Sequence, residues 1–433
     1  MRDLLLVGFL FVAIYYSFKR PYIGMAAWVW IALTAPADWV FGFSQSFRLN
    51  LTIVLVTALS YMFLTKNKTF PKHSLFFWVG FFAFWTLIST AANLSVYEGK
   101  TFGYWIAFFK TYLLFFFITL TVTKRLHVDT IVWAVVLSIS SYAGMEAVKF
   151  VLSGGGHRII GKAGIIIDRN DLAVAINMAI PLLIYLFQTT KHKTIKLGLL
   201  GLLGLNVIAI VGTYSRGGFI GLIILAIAFW MASRYKIVLA VIAVLALPAA
   251  YSMAPEEWRE RQDTVKDATK SDGSFIGRLW AWKISTLIAL DNPLTGGGFR
   301  AVTDPVLWLT YAPETSNFGP IKTPPIPNDL KPKAAHNVYM QVLGDHGIVG
   351  LMIFLTILMK VLLALRRLGK IAKKEEVEWV QKLCSAIMLS MVGFCITGGN
   401  VSLAYFDLLY AMIGIVAVMA INQLAYKDPA NAK

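Results

Sequence analysis

Residues 196–230 read KLGLLGLLGLNVIAIVGTYSRGGFIGLIILAIAFW, two apolar runs separated by one short polar turn. Each run approaches the length of about 20 mostly apolar residues with which a helix crosses the hydrocarbon core of a bilayer. The turn, TYSRGG (213–218), places Arg216 and two glycines between the runs. This stretch therefore predicts two membrane-spanning helices with a positive charge at the membrane boundary that joins them.

The rest of the chain has the same apolar character. Of its 433 residues 58% are hydrophobic and 15% are charged, whereas a soluble chain has about 45–50% apolar and about 25% charged residues. This composition disfavours a water-soluble globular domain. Candidate spans are residues 4–17, 22–36, 50–64, 75–92, 104–122, 130–152, 171–188, 196–214, 217–233, 237–253, 347–365, 383–397 and 405–424. Because the first two are short, we expect 12 or 13 helices in an all-α polytopic membrane protein.

The basic residues predict the orientation of these helices. The chain has 40 Lys and Arg against 23 Asp and Glu, a net charge of +17. One set of alternate loops, together with the C-terminal tail, holds 20 basic and 5 acidic residues. Short cytoplasmic loops of membrane proteins collect Lys and Arg, so this side is predicted to be cytoplasmic. The excess is thus a sign of topology, and a nucleic-acid partner is not expected.

The opposite side carries one long polar segment, residues 254–337, with 10 basic and 10 acidic residues. Within it, GRLWAWKISTLIAL (277–290) predicts a helix that ends at Asp291-Asn292-Pro293. The triplet GGG (296–298) predicts a turn or a close backbone approach, and five prolines within 320–332 predict extended chain. The chain thus divides into a helical bundle (1–253), a large and partly helical outer loop (254–337) and C-terminal membrane helices (338–433).

Three residues at the outer boundary are candidates for chemistry. Arg216 lies beside glycines that allow a ligand to approach the backbone closely, and Arg278 opens the predicted loop helix. An arginine fork suits phosphate oxygens, and a neutral histidine such as His336 can accept a proton from a hydroxyl. The structural alternatives are an arginine that extends to the interface, an exposed loop arginine and a hydrogen-bonded interface histidine.

Other residues near the outer boundary are weaker candidates, and Arg158 and Arg169 would add positive field to the same site. The further neighbours of the predicted site are Asn337, Tyr214, Arg169, Asp171 and Arg158. No ATP-binding or dinucleotide-binding glycine motif is present in the sequence. The loop 37–50 offers one acid, Asp38, so we expect no metal ion and no cofactor. Together the candidates suit a substrate that is anionic at the lipid boundary, such as a polyprenyl diphosphate-linked sugar, with a hydroxyl acceptor.

The chain resembles the O-antigen ligase/polymerase superfamily of bacterial inner membranes. The residues that carry the resemblance are TYSRGG (213–218), Gly277-Arg278, NPLTGGGF (292–299), His336-Asn337 and GDHG (344–347). Their order also matches, with many spans, one large late loop and a histidine at its end. The resemblance implies a GT-C-like fold in the inner membrane, with the active site facing the periplasm among membrane lipids.

The resemblance further implies a metal-independent, inverting glycosyltransferase. Such an enzyme moves a glycan from undecaprenyl diphosphate to an acceptor hydroxyl, which in the ligase branch belongs to the lipid A–core of lipopolysaccharide. By this resemblance His336 is the general base, and Arg216 and Arg278 bind the diphosphate.

Other functions remain open. A polymerase would use another lipid-linked repeat as acceptor, and a protein O-oligosaccharyltransferase would use Ser or Thr of a pilin-like protein. One dominant late loop favours a ligase, and the lack of a further C-terminal periplasmic domain disfavours a large protein acceptor. A transporter of lipid-linked sugars would place its charges near the bilayer midplane within an internal repeat, and neither feature is evident. In a scaffold, Arg216, Arg278 and His336 would be replaceable.

Overall fold

A computed structural model describes residues 2–65, 68, 72–162, 164–232, 236–237 and 273–422. The first helices are α1 (Arg2–Lys19), α2 (Pro21–Thr34), α3 (Leu49–Leu64), α4 (Ser74–Ala91), α5 (Glu98–Thr121), α6 (Arg125–Leu152), α7 (Arg169–Thr189), α8 (Lys193–Gly212) and α9 (Arg216–Ala232). After residue 272 follow α10 (Gly273–Asp291), α11 (Pro305–Tyr311), α12 (Val338–Lys374), α13 (Glu378–Thr397) and α14 (Asp407–Ile421). The predicted span 237–253 and the first part of the outer loop fall almost entirely outside the described residues.

The predicted all-helical character is confirmed in the part of the chain that the structure describes. There, seven helices are long and apolar enough to cross a membrane, namely α4 to α8, α12 and α13. Four shorter apolar helices, α2, α3, α9 and α14, correspond to other predicted spans. The total of about 12 spans, with its cytoplasmic and outer sides, stays a prediction.

Helix α7 occupies the centre of the bundle, with 78% of its apolar window buried. It packs against α6, α8, α9 and α13. Its N-terminus is fixed by a capping box, in which the Asp168 carboxylate accepts from Asn170 N at 2.6 Å and Asp171 accepts from Asp168 N at 3.4 Å. This cap places two carboxylates at the end of α7 where the site lies.

Helix α12 begins at Val338, whereas the apolar pattern placed the start of this span at residue 347. The earlier start places the polar pair Asp345 and His346 inside the helix, fully buried. Both have partners in the bundle, since Tyr405 donates to Asp345 at 2.9 Å and His346 Nδ1 lies 2.8 Å from Ser89 Oγ. Buried polar groups need such partners, and these lie far away in sequence. A hydropathy pattern therefore cannot find this start.

The described part of the long polar segment, residues 273–337, is organised around α10, which confirms the helix predicted at 277–290 and its end at Asp291. It has a separate apolar core centred on the fully buried Trp308. The proline-rich stretch is extended, as predicted, and lies along α10, where Trp280 Nε1 donates to Pro324 O at 2.9 Å. Lys283 Nζ adds a bond of 3.0 Å to Thr323 Oγ1. These bonds fix the path of the chain toward His336.

The glycine triplet joins the long polar segment to the break in α12 at Gly347, where φ is 70°. Gly296 has a φ of 62°, and a Cβ on it would lie 2.5 Å from Gly347 N. Gly297 N donates to Gly344 O at 2.9 Å. The predicted close approach is confirmed, because only glycine leaves room for these two backbones to touch.

Candidate functional site

His336 lies between two anchors that fix its backbone. On one side Trp282 Nε1, from α10, donates to Ala335 O at 2.7 Å, and on the other His336 N donates to Ser402 Oγ at 3.0 Å. The φ of His336 is 43°, in the left-handed region that residues other than glycine seldom adopt. Such strain persists only where the surroundings enforce it, and it concentrates at functional sites.

The surroundings of the His336 imidazole favour its neutral form. Burial and the positive charge of Arg278 lower its pKa, and the negative charge of Asp168 opposes them without reversing the shift. Its Nδ1 atom is buried and has no hydrogen-bond partner among the described residues. A neutral ring with an unengaged nitrogen is what a general base requires.

Arg278 is linked to His336 through one short segment that follows α13. Arg278 Nη1 donates to Asn400 Oδ1 at 3.1 Å, and Ser402, in the same segment, accepts from His336 N. Asn400 ends the 3₁₀ turn Gly398–Asn400. Residues 400–402, which we call the anchor segment, therefore hold both the arginine and the histidine.

Arg216 reaches the same place from the other half of the chain. It is the first residue of α9, and the next residue, Gly217, packs on Asn400, since a Cβ on Gly217 would lie 3.0 Å from Asn400 Cβ. The turn before it is fixed because Ser215 Oγ donates to Asn170 Oδ1 at 2.7 Å, at the start of α7. The structure thus brings the segments that carry Arg216, Arg278 and His336 together around the anchor segment.

A cavity of about 590 Å³ opens beside His336. Its carboxylate, guanidinium and imidazole groups belong to Asp168, Asp171, Arg300, His336, Asp345 and Asp407. Arg216 and Arg278 are not among the residues that line it. His336 therefore stands between an arginine side, at the anchor segment, and a cavity whose charged side chains are mostly acidic.

Two of the other sequence candidates have structural partners. Asn337 caps α12, accepting from Tyr339 N at 2.9 Å and Met340 N at 3.2 Å. The Tyr214 hydroxyl donates to Gly155 O at 2.9 Å, and this residue also has a φ of 53°. These contacts position the neighbouring His336 and Arg216.

The remaining candidates divide by location. Asp171 lines the cavity, and Arg169 is half-buried in the first turn of α7. Arg158 is exposed and does not line the cavity. The structure therefore brings Asp171, but not Arg158, to the cavity that contains His336.

Sequence reasoning missed three residues of the site: Asn400, Ser402 and Arg300. The dipeptide Gly398-Gly399 before Asn400 is a turn signal that marks a break between two spans. Arg300 follows the glycine triplet and has a φ of 61°. No local pattern shows that Ser402 binds His336, that Asn400 binds Arg278 or that Arg300 lines the cavity of His336, because these relationships join distant parts of the chain.

In the described part of the chain no three His, Cys, Asp or Glu side chains are grouped as metal ligands would be. Cys384 and Cys395 are both free thiols. The expectation of metal-independent chemistry stays a prediction, and it depends on whether arginines alone neutralise the substrate.

Two family models match the chain. One, described as O-antigen ligase, matches residues 199–355, and the other, described as a family of unknown function, matches residues 1–193. No curated protein matches the chain. The first match includes Arg216, Arg278, Arg300 and His336, and it ends before the anchor segment.

Proposed function

From the O-antigen ligase domain that this membrane protein carries at residues 199–355, we propose that it transfers a glycan from undecaprenyl diphosphate to a hydroxyl of the lipid A–core. The family consists of glycosyltransferase-like membrane enzymes whose general donor is a lipid-linked glycan and whose general acceptor is lipid A–core. The proposed reaction is metal-independent and inverting.

One observation carries this proposal, namely that the anchor segment joins the cationic arginines to the histidine base. Asn400 holds Arg278 and contacts the backbone beside Arg216, while Ser402 holds His336. A diphosphate leaving group needs positive charge, and an acceptor hydroxyl needs a base. Both requirements are met within residues fixed by one turn.

The arginine side binds the donor. Two guanidinium forks match the oxygens of a diphosphate and hold their charge without reorganisation as it increases in the transition state. Arg216 also begins α9, where backbone N–H groups favour an anion. These contacts lower the energy of the departing undecaprenyl diphosphate.

The histidine acts on the acceptor. His336 removes the proton of the acceptor hydroxyl as its oxygen forms a bond to the anomeric carbon of the donor sugar. The bond from that carbon to the diphosphate oxygen breaks, and its electron pair leaves with undecaprenyl diphosphate. Attack from the face opposite the leaving group inverts the anomeric configuration. A base in such a position contributes about 10²–10⁴-fold.

The charge distribution supports an inner-membrane location with the site on the periplasmic side. The loops rich in Lys and Arg belong to the opposite face, and His336 follows the long segment of balanced charge. In this proposal the outer loop 254–337 supplies Arg278 and His336, while the bundle 1–253 supplies Arg216 and residues 338–433 supply the anchor segment.

The deciding experiment offers three acceptors, one at a time, to the full-length protein in proteoliposomes. Undecaprenyl diphosphate-linked glycan is supplied with lipid A–core, with excess lipid-linked repeat, or with a pilin-like protein. We expect one glycosylated lipid A–core product. A ladder of lipid-linked polymers would show a polymerase instead, and a modified protein would show an oligosaccharyltransferase. Movement of the labelled donor across the bilayer without bond exchange would show a transporter.

A further inference from the structure

Resting on the proposed function, we propose that Arg300 binds an anionic group of the acceptor, a carboxylate or a phosphate close to the hydroxyl that receives the glycan. Arg300 would be a specificity-determining residue on the acceptor side of His336, separate from the two arginines that bind the donor diphosphate.

Hydrogen bonds on both sides of Arg300 fix its backbone. The loop before it is held on α12, where Gly298 N donates to Asp345 O at 2.9 Å. Directly after Arg300, Ala301 N donates to Asp345 Oδ1 at 3.1 Å. Between these two bonds Arg300 has a φ of 61°, which costs energy in any residue with a side chain. The completely buried Asp345 thus enforces a strained conformation that presents Arg300 to the cavity.

The charge of the Arg300 guanidinium acts on the buried carboxyl of Asp345, but the two groups form no ion pair in the structure of the described residues. The guanidinium stacks on the ring of Tyr104, with its Cζ 4.3 Å from the ring centroid, and the residue is exposed. Within the described ranges it forms no side-chain hydrogen bond and no ion pair. Tyr104 supports one face of the guanidinium, so its donors remain available to a ligand in the cavity that both residues line.

The surroundings of Arg300 disfavour the donor diphosphate. The cavity wall also holds Asp168, Asp171, Asp345 and Asp407 against this one arginine. A carboxylate such as that of Asp168 repels a diphosphate, whereas the carboxyl oxygens of the wall accept hydrogen bonds from sugar hydroxyls. A sugar with several hydroxyls and a single anionic group fits this wall, with the anion at Arg300.

The position of His336 indicates that the cavity beside Arg300 receives the acceptor and not the donor. His336 lines the same cavity as Arg300, and its other neighbour, Arg278, belongs to the arginine side. A base must face the hydroxyl that it deprotonates. If the diphosphate occupies Arg216 and Arg278, the acceptor enters from the cavity, where Arg300 meets it.

Equilibrium binding of lipid A–core to the full-length protein in nanodiscs, without donor, tests this inference. For Arg300→Gln we expect an acceptor Kd about tenfold higher or more, the loss of one charge-assisted contact. The acceptor Kd of Arg300→Lys should lie between those of the wild type and Arg300→Gln. The donor Kd should stay within about twofold of the wild-type value for both variants. Lys331→Gln, which removes an exposed cation of the same outer loop, is the control and should change neither Kd.

Two modified acceptors identify the anion. Enzymatically dephosphorylated lipid A–core and carboxyl-reduced lipid A–core are each compared with the intact molecule. The modification that removes the recognised anion should weaken binding to the wild type and have no further effect on Arg300→Gln. Equal weakening in both proteins, a raised donor Kd, or an unchanged acceptor Kd in Arg300→Gln would overturn the inference.

If Arg300→Gln fails to fold, Tyr104→Leu replaces it. This change removes the ring under the guanidinium and is expected to raise the acceptor Kd about threefold. No change would again count against the inference. Because binding is measured without transfer, binding that depends on Arg300 in a protein without transferase activity would refute the proposed function and leave the inference standing.

Discussion

Asn400 Oδ1 accepts a hydrogen bond of 3.1 Å from Arg278 Nη1 and thereby joins the end of α13 to the first turns of α10. The same asparagine packs against Gly217, beside Arg216. Asn400 thus contacts both of the segments that carry the two arginines, and in the proposed function it makes them one binding surface. Several of the following predictions depend on this relationship.

Replacing Asn400 should weaken donor binding because Arg278 loses the group that orients it. We expect Asn400→Ala to raise the KM for the lipid-linked donor about tenfold, the effect of losing one hydrogen bond to a charged group, with little change in kcat. Asn400→Gln should raise the donor KM less than Asn400→Ala does, because its side chain can still accept a hydrogen bond from Arg278. Gly399→Ala is the control, since a Cβ there meets nothing within 4 Å. Additive effects of Asn400→Ala and Arg278→Ala would contradict the shared role.

Removing the base should stop transfer without stopping binding. We expect His336→Gln to lower kcat by about 10²–10⁴-fold while the donor Kd stays within about twofold, as measured in proteoliposomes and by donor titration. His192→Gln, at an exposed histidine that makes no side-chain capping bond, should keep full activity. Wild-type kcat in His336→Gln would remove this residue from the mechanism.

The acidic limb of the pH–rate profile should move in opposite directions in two variants. Arg278 lowers the pKa of His336, so Arg278→Gln should raise that pKa, and activity should then be lost at a higher pH on acidification. Asp168 raises the pKa, so Asp168→Asn should shift the loss to a lower pH. Asparagine caps helices as well as aspartate does, so α7 should remain intact. The measurement is kcat/KM against pH, and shifts of the same sign would refute this account.

Activity should persist without divalent metal ions. In the proposed function, Arg216 and Arg278 supply the positive charge that a metal would otherwise give to the diphosphate. We expect transfer rates in excess EDTA within about twofold of the untreated rate. Loss of activity that Mg²⁺ or Mn²⁺ restores would show that the arginines are insufficient.

The close approach at the glycine triplet should be essential for stability. An alanine at Gly296 would place its Cβ 2.5 Å from Gly347 N, at a φ of 62°. We expect Gly296→Ala to lower the free energy of unfolding by about 3 kcal/mol or more, seen as a lower Tm in detergent. The matched control is Gly103→Ala on α5, where an added Cβ would meet no atom within 4 Å. This change should raise the free energy of unfolding by about 0.4–1 kcal/mol. Equal Tm values for the two variants would contradict the packing argument.

The sequence was sufficient where the deciding interaction is local. Apolar runs of sufficient length predict helices, because a backbone in lipid must satisfy its own hydrogen bonds. The end of α10 at Asp291 was predicted because Asn292-Pro293 cannot continue a helix. The glycine triplet predicted a turn or a close backbone approach, because glycine lacks the Cβ that hinders both, and the close approach is found at Gly296.

The start of α12 was not predictable in this way. Asp345 and His346 look like boundary residues in a hydropathy pattern, yet both are buried inside the bundle. Their cost is offset by Tyr405 and Ser89, which lie on other elements. Whether a polar residue ends a span depends on partners that only the folded chain supplies.

The sequence by itself determined that this is a helical membrane protein, and it singled out Arg216, Arg278 and His336 as residue types suited to a diphosphate and a hydroxyl. Only the tertiary structure decided how they are arranged, because the segment that joins them, residues 400–402, lies far along the chain and has no chemical signature of its own. It also decided that Arg300 shares the cavity of His336. Helices are encoded by neighbours in sequence, whereas a site between helices depends on contacts that form only when the bundle closes.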